Sequence, residues 1–271
     1  MTTKQFVLAA LVAAGLGAGG ATLLTGQQAN TGSPAQAYQA PRTVEGLPDF
    51  HGVWQAVNSA SWDIEPHAAS WGVPPGLGVV DGNEIPYQPW ARTQKAQNFR
   101  DRETADPDRR CFYPGVPRIM YIPHPFQIVQ NTDVFELIFE YGHYTRLIYL
   151  NGFPHHEDIP FWMGDSRGRW DGDTLVVDTR NFNGMTWFDK AGNFHSDAMR
   201  LLERFTRTGP DHFQWEATIE DPKVFTRPWT MRMPFYRLQE PDAMPLEYEC
   251  IFLDVYENRR YHKLAGDGPD Q

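Results

Sequence analysis

The stretch Phe161–Thr179, F-W-M-G-D-S-R-G-R-W-D-G-D-T-L-V-V-D-T, decides how the chain is read. Its second half carries the pattern of a tight hairpin. Asp171-Gly172 supplies the pair that a type I′ turn needs, because both central residues of that turn take positive φ. Gly168-Arg169-Trp170 stands before the pair, and the β-branched, apolar Thr174-Leu175-Val176-Val177 follows it, so strands are expected on both sides. The first half, Trp162–Arg169, mixes Trp, Met, Asp, Ser and Arg around glycines. That mixture suits neither a core strand nor a solvent loop, and the functional centre is expected beside this hairpin.

Outward from it, more strands follow. Upstream, Phe126–Gln130, Val134–Tyr141 and Thr145–Leu150 are short and apolar, and Asn151-Gly152 reads as a turn. Downstream, Met199–Arg207 pairs with His212–Glu220 across Gly209-Pro210-Asp211. In the latter, Phe213, Trp215, Ala217 and Ile219 alternate with polar residues, a period of two with one buried face. Trp229–Leu238, Leu246–Leu253 and a first strand within Leu47–Trp54 bring the set to about nine or ten, a number typical of sandwiches and barrels. Pro89–Arg102 is the one good helix candidate. Ser59–Pro89 holds five prolines among glycines and reads as a long loop, the kind that forms a lid or rim. Short turns favour an antiparallel meander, and closure removes exposed edges. The expected fold is therefore all-β, an antiparallel β-barrel of lipocalin-like (calycin) type with long irregular N-terminal loops and one short helix. Such a barrel can hold one small ligand in its mouth.

The N-terminal run Phe6–Leu24 is rich in Ala, Leu, Val and Gly and follows a single Lys4; Ala35-Gln36-Ala37 matches a cleavage site. Residues 1–37 are read as a signal peptide, 38–46 as a linker, 47–262 as one barrel domain and 263–271 as a flexible tail. A periplasmic or secreted protein is expected, without stable membrane insertion once the signal is removed; an uncleaved anchor is the alternative. In an oxidising compartment the only two cysteines, Cys111 and Cys250, read as a disulfide, with two buried free thiols as the alternative. The net charge of −10 argues against nucleic acid as a partner and leaves a small-molecule substrate or ligand.

Pro48-Asp49-Phe50-x-Gly52-Val53-Trp54, Pro125–Gln130, Trp162–Thr179 and Glu247-Tyr248-x-Cys250 together resemble a family of secreted bacterial proteins of unknown function. Its most specific part is the G-R-W-[DE]-G-D-T-L-V-V-D-T hairpin. The resemblance covers most of the mature chain. It implies export and a single β-rich domain, and nothing about mechanism.

The chemistry is sought among polar residues at strand ends. His143, His155 and His195 are the proton-transfer candidates, because imidazole titrates near neutral pH. Asp165 and Glu203 are the orienting or acidic groups beside them. Arg146 and Arg169 are placed to hold an anion, and Ser166, Trp162, Trp170 and Trp187 to line the substrate site. Trp62 and Trp71, also on loops, are further candidates for ring stacking. Gly164-x-Ser166-x-Gly168 matches a nucleophile elbow, but a hairpin follows where that motif needs a helix. Glu140, His143, His155, His156 and Asp158 lie near one another in sequence without a metal-ligand spacing, and no nucleotide loop exists. The expectation is an exported enzyme using acid–base chemistry without cofactor or metal on a partly hydrophobic, aromatic or cyclic substrate in the barrel cavity. A carrier of a hydrophobic ligand with the same fold is the alternative, and a filled barrel without a pocket would favour an interaction protein.

Overall fold

The computed structural model describes residues 38–250. The signal-peptide reading and the tail therefore lie outside the described residues, as does the end of the strand expected over Leu246–Leu253. Nine strands close into a barrel: β1 (Gly52–Ala56), β2 (Phe126–Gln130), β3 (Val134–Phe139), β4 (Thr145–Tyr149), β5 (Asp165–Asp171), β6 (Thr174–Arg180), β7 (Arg200–Gly209), β8 (His212–Glu220) and β9 (Trp229–Arg237). Each pairs with the next, and β1 pairs with β9 to close the ring. Among the described residues one α-helix, α1 (Pro89–Ala105), lies outside it, with proline at its start where the missing N–H costs nothing.

Three expectations need correction. The barrel is mixed, because β4 and β5 run parallel, Ile148 opposite Ser166 and Tyr149 opposite Arg167. Two parallel neighbours require a connection that travels back along the barrel, and residues 150–164 make that crossing. Among the described residues of Leu246–Leu253, Tyr248 forms only an isolated bridge to Tyr141. The decisive hairpin also turns one residue later than its sequence suggests. Asp171 pairs with Thr174, so Gly172-Asp173 is the two-residue loop, and only Gly172 has positive φ. That is the type II′ pattern, which asks for glycine at the first central position alone.

The barrel is filled rather than hollow. Inward residues of successive strands interlock: Trp54, Phe126, Phe135, Phe205, Phe213, Trp215 and Phe235 are all inaccessible to solvent. Phe213 stacks on Phe235 at 4.9 Å and meets Trp54 edge-on at the same separation. Burying each such ring contributes about 1.5–3 kcal/mol, so these rings supply a large part of the core. In the middle of this apolar packing sits one ion pair. Arg146 on β4 meets Glu203 on β7 with Nη1–Oε1 at 2.9 Å and a second, shorter contact through Nη2. Ser166 and Thr179 accept from the same guanidinium, and Trp215 Nε1 donates to Glu203 at 3.1 Å.

The two ends of the barrel differ. At one end the connections are tight: 131–133, 172–173 and 210–211. At the other, β1–β2, β6–β7 and β8–β9 are joined by 57–125, 181–199 and 221–228. The long connections, with α1 among them, build a second layer over that end, and there the surface becomes concave.

Candidate functional site

The residues expected to form one site are divided among separate places: Arg146, Ser166 and Glu203 meet inside the barrel, His155 meets Asp165 on the crossing, and the others lie apart. His143 is exposed at positive φ in the turn between β3 and β4. His155 lies half-buried on the 150–164 crossing between two carboxylates, 3.4 Å from Asp165 and 3.7 Å from Asp178. His195 is buried: its Nδ1 faces the Ser196 carbonyl at 2.8 Å, so it donates there, and Nε2 accepts from the Thr186 hydroxyl at 2.7 Å. Burial lowers its pKa, and the neutral ring with both nitrogens engaged is a packing residue. Arg146, Glu203 and Ser166 belong to the filled interior. Asp165 accepts from the His156 amide and from Arg167, holding the crossing in place. Arg169 is exposed on β5. Trp162 stacks flat on Phe112 at 5.0 Å, Trp170 packs against Phe50, and Trp187 pairs through its backbone with Phe194. Asp158 is exposed, and no three His, Cys, Asp or Glu side chains among the described residues converge as metal ligands.

Cys111 and Cys250 do form a disulfide, with Cα atoms 5.5 Å apart. No helix among the described residues is long and apolar enough to cross a membrane.

Two neighbouring cavities of about 380 and 350 Å³ lie in the loop layer and share Trp62, Glu103, Arg109 and Lys190 along their common wall. They make one bent groove. The first cavity is walled by Trp62, Trp71 and Phe99, with Asp63, His67 and Arg102 among them. The second reaches His124, Tyr141 and the disulfide. Of the catalytic or ligand-contacting candidates read from the sequence, only Trp62 and Trp71 line these cavities.

The groove is assembled by one carboxylate. Asp189 is fully buried and accepts from the Ile64 amide at 2.9 Å, across 125 residues of sequence. It also accepts from the amides of Ala191 and Asn193 and from the Asn193 side chain. These bonds clamp the 187–193 loop to 59–64, and the Lys190 amide donates to Ser61 O at 3.2 Å beside them. α1 is drawn onto the same loop: Asn98 donates to Gly192 O at 3.1 Å. Gly192 permits that approach, since its φ is +84° and a Cβ there would lie 2.7 Å from the Phe99 amide. The outer wall is a small hairpin in which His67 pairs with Gly76 and Ser70 with Val73. His67 points its ring nitrogens at two carbonyls, of Glu65 at 2.9 Å and Pro74 at 3.1 Å, fixing the base of that hairpin. Trp71 sits fully exposed at its tip.

Asp63, Asp189 and Lys190 are among the groups in or under the groove that are shifted from their ordinary acidities. Burial raises the Asp63 carboxyl. Burial, then the charge of Asp63, pushes Asp189 up to about 7. Burial, then the nearby Arg118, lowers Lys190. Asn193 Nδ2 donates to both carboxylates, 3.3 Å from Asp63 and 2.6 Å from Asp189, which ties their titrations together. A carboxyl raised by folding holds a proton in the native state that the unfolded chain has lost. Its effect on stability is therefore most favourable at low pH and declines as pH rises through the window up to about 7. Asp63→Asn removes one of the two charges and keeps an acceptor oxygen. Relative to the parent, the variant will gain unfolding free energy from pH 5 to pH 8, measured by urea denaturation at both values. A parallel pH dependence in the two proteins would contradict the coupling.

Sequence reasoning missed Asp63, His67, Arg102, Arg109 and Lys190. The available signal was the proline- and glycine-rich stretch 59–89, legible as a rim, with Trp62 and Trp71 inside it. Comparison of the chain with protein-family models, with curated proteins and with solved structures finds no match.

Proposed function

We propose that the protein is an exported enzyme acting by cofactor-independent acid–base chemistry on a small aromatic or cyclic anion, bound in the loop-layer groove. The observation that carries the reading is the Asp63 carboxyl, raised by burial, in a cavity with aromatic walls and cationic side chains. A carboxyl with a raised pKa exchanges protons closer to neutral pH than an exposed one. Trp62, Trp71 and Phe99 offer ring faces. Arg102 and Arg109 share a single carboxylate, Glu103, which leaves positive charge for a substrate anion. Asp63 moves the proton, the arginines hold the anion and the rings orient it. The disulfide supports an oxidising compartment.

The same groove also suits a carrier, and one experiment separates the two. Aromatic and cyclic carboxylic acids are incubated with the protein in D₂O, and solvent deuterium entering carbon positions is followed by NMR beside thermal shift. An enzyme washes deuterium into at least one acid. Asp63→Asn slows that exchange about 10²–10⁴-fold while the thermal shift persists, the usual contribution of a positioned acid or base. Thermal shift without exchange favours the carrier, and exchange indifferent to Asp63→Asn removes the proposed role.

A further inference from the structure

Lys190 stands in the wall common to both halves of the groove. The other described lysines are paired, Lys95 with Glu65 and Lys223 with Asp197 at 2.7 Å. Lys190 has no carboxylate within 4.0 Å among the described residues. Its Nζ instead lies 5.3 Å from the centre of the Trp62 ring. Arg109 and Arg118 also line the second cavity. Arg118 is buried and held by Asp106 through two contacts of 2.8 Å. The backbone on either side of Lys190 is fixed by the Asp189 clamp, so its side chain starts from a rigid base.

We propose that Lys190 is a nucleophilic amine that forms an imine with an aromatic or cyclic aldehyde or ketone bound in the groove. The proposal rests on the acid–base reading and narrows its substrate class to carbonyl compounds. The geometry supplies what an amine nucleophile needs, no ion pair to hold it as an ammonium and cations nearby, while the Trp62 ring offers a face on which an aromatic substrate can stack. Burial and the charge of Arg118 favour the neutral amine in the same direction. In the reaction the nitrogen lone pair of neutral Lys190 attacks the carbonyl carbon and the C=O π electrons move to oxygen. The nitrogen gives up a proton as the oxygen is protonated, giving a carbinolamine. The proton that the lysine ammonium released to solvent before the attack returns to the carbinolamine hydroxyl and expels water, and the protonated imine remains. The balance is one carbonyl compound and one lysine ammonium to one protonated imine and one water, with no change of oxidation state. Where the carbon next to the former carbonyl bears hydrogen, the imine acidifies that C–H, which is the proton a groove base would remove.

The test uses the whole protein with 4-carboxybenzaldehyde as probe and cyanoborohydride as trap at pH 7, followed by peptide mapping. Lys190 is expected to be labelled at least ten times faster than Lys95 or Lys223, and excess benzoate is expected to slow that labelling selectively. Lys190→Arg, which keeps the charge, should lose the fast adduct while retaining the benzoate-induced thermal shift. Labelling of Lys190 no faster than Lys223 overturns the proposal. If that result comes with deuterium exchange still dependent on Asp63, the imine falls and the acid–base groove stands.

Discussion

Glu203→Ala will lower the unfolding free energy by about 3–5 kcal/mol, the range for a buried ion pair stripped of one partner. Glu203 is wholly inaccessible and faces an Arg146 that is 2% exposed. Removing the carboxylate leaves a guanidinium inside an aromatic core, where its remaining acceptors, Ser166 and Thr179, are neutral hydroxyls. Trp215 Nε1 loses its acceptor in the same step. Arg146→Met alone will be comparably costly, since it leaves the carboxylate unpaired. Combining Arg146→Met with Glu203→Leu will cost much less than either single change. What then remains is the orphaned Trp215 N–H, at about 1–3 kcal/mol for an unsatisfied buried donor. Denaturant titration of the parent, Arg146→Met, Glu203→Leu and the double variant gives the cycle directly. A single-variant loss below about 1 kcal/mol would mean that the pair is hydrated or dispensable, against the energetics of buried charge.

Loss of the disulfide will be the second large effect. Cys111–Cys250 closes 139 residues, almost the whole barrel. Loop-entropy arguments give about 5 kcal/mol for a ring of that size, as an upper figure. The native state reduces this cost, because among the described residues Cys250 follows β9 on a stretch held by local contacts alone: the Tyr141–Tyr248 bridge, the Tyr248 ring against Tyr141 and His124, and the Leu246 amide on Glu140. With the bond gone, that stretch gains freedom while the barrel stays closed. Cys111→Ala with Cys250→Ala will therefore lose between about 2 and 5 kcal/mol in guanidinium denaturation under oxidising conditions. Reductant will lower the parent to the same midpoint and leave the variant unmoved. A variant as stable as the oxidised parent would show that the unfolded chain is already compact around this pair.

The barrel was legible because its strands obey a period of two, nowhere more clearly than in β8. The same rule, applied to β7, places Glu203 between Leu201 and Phe205 on the inward face. Read for its pattern rather than for its chemistry, Glu203 is a core residue, and so is Arg146 beside Ile148 on β4. The parallel step was not legible, because the 150–164 crossing has the turn residues of any exposed loop and nothing local records where its far end lands. The groove was illegible for a related reason. Asp63 and Lys190 belong to different long connections, united by tertiary hydrogen bonds centred on Asp189. A carboxylate accepting from distant backbone amides leaves no spacing in the sequence. The rim was visible as composition, since proline and glycine exclude ladder and helix alike, but composition carries no partner.

The unequal ends of the barrel have a practical reading. Everything proposed to touch a small molecule lies among the long connections, while the opposite end carries tight, solvent-facing turns such as Gly172-Asp173. That end is a natural handle. A dye, a surface linker or an inserted peptide placed there would leave the groove open to solvent, so the protein can be immobilised in one orientation with the groove facing the flow.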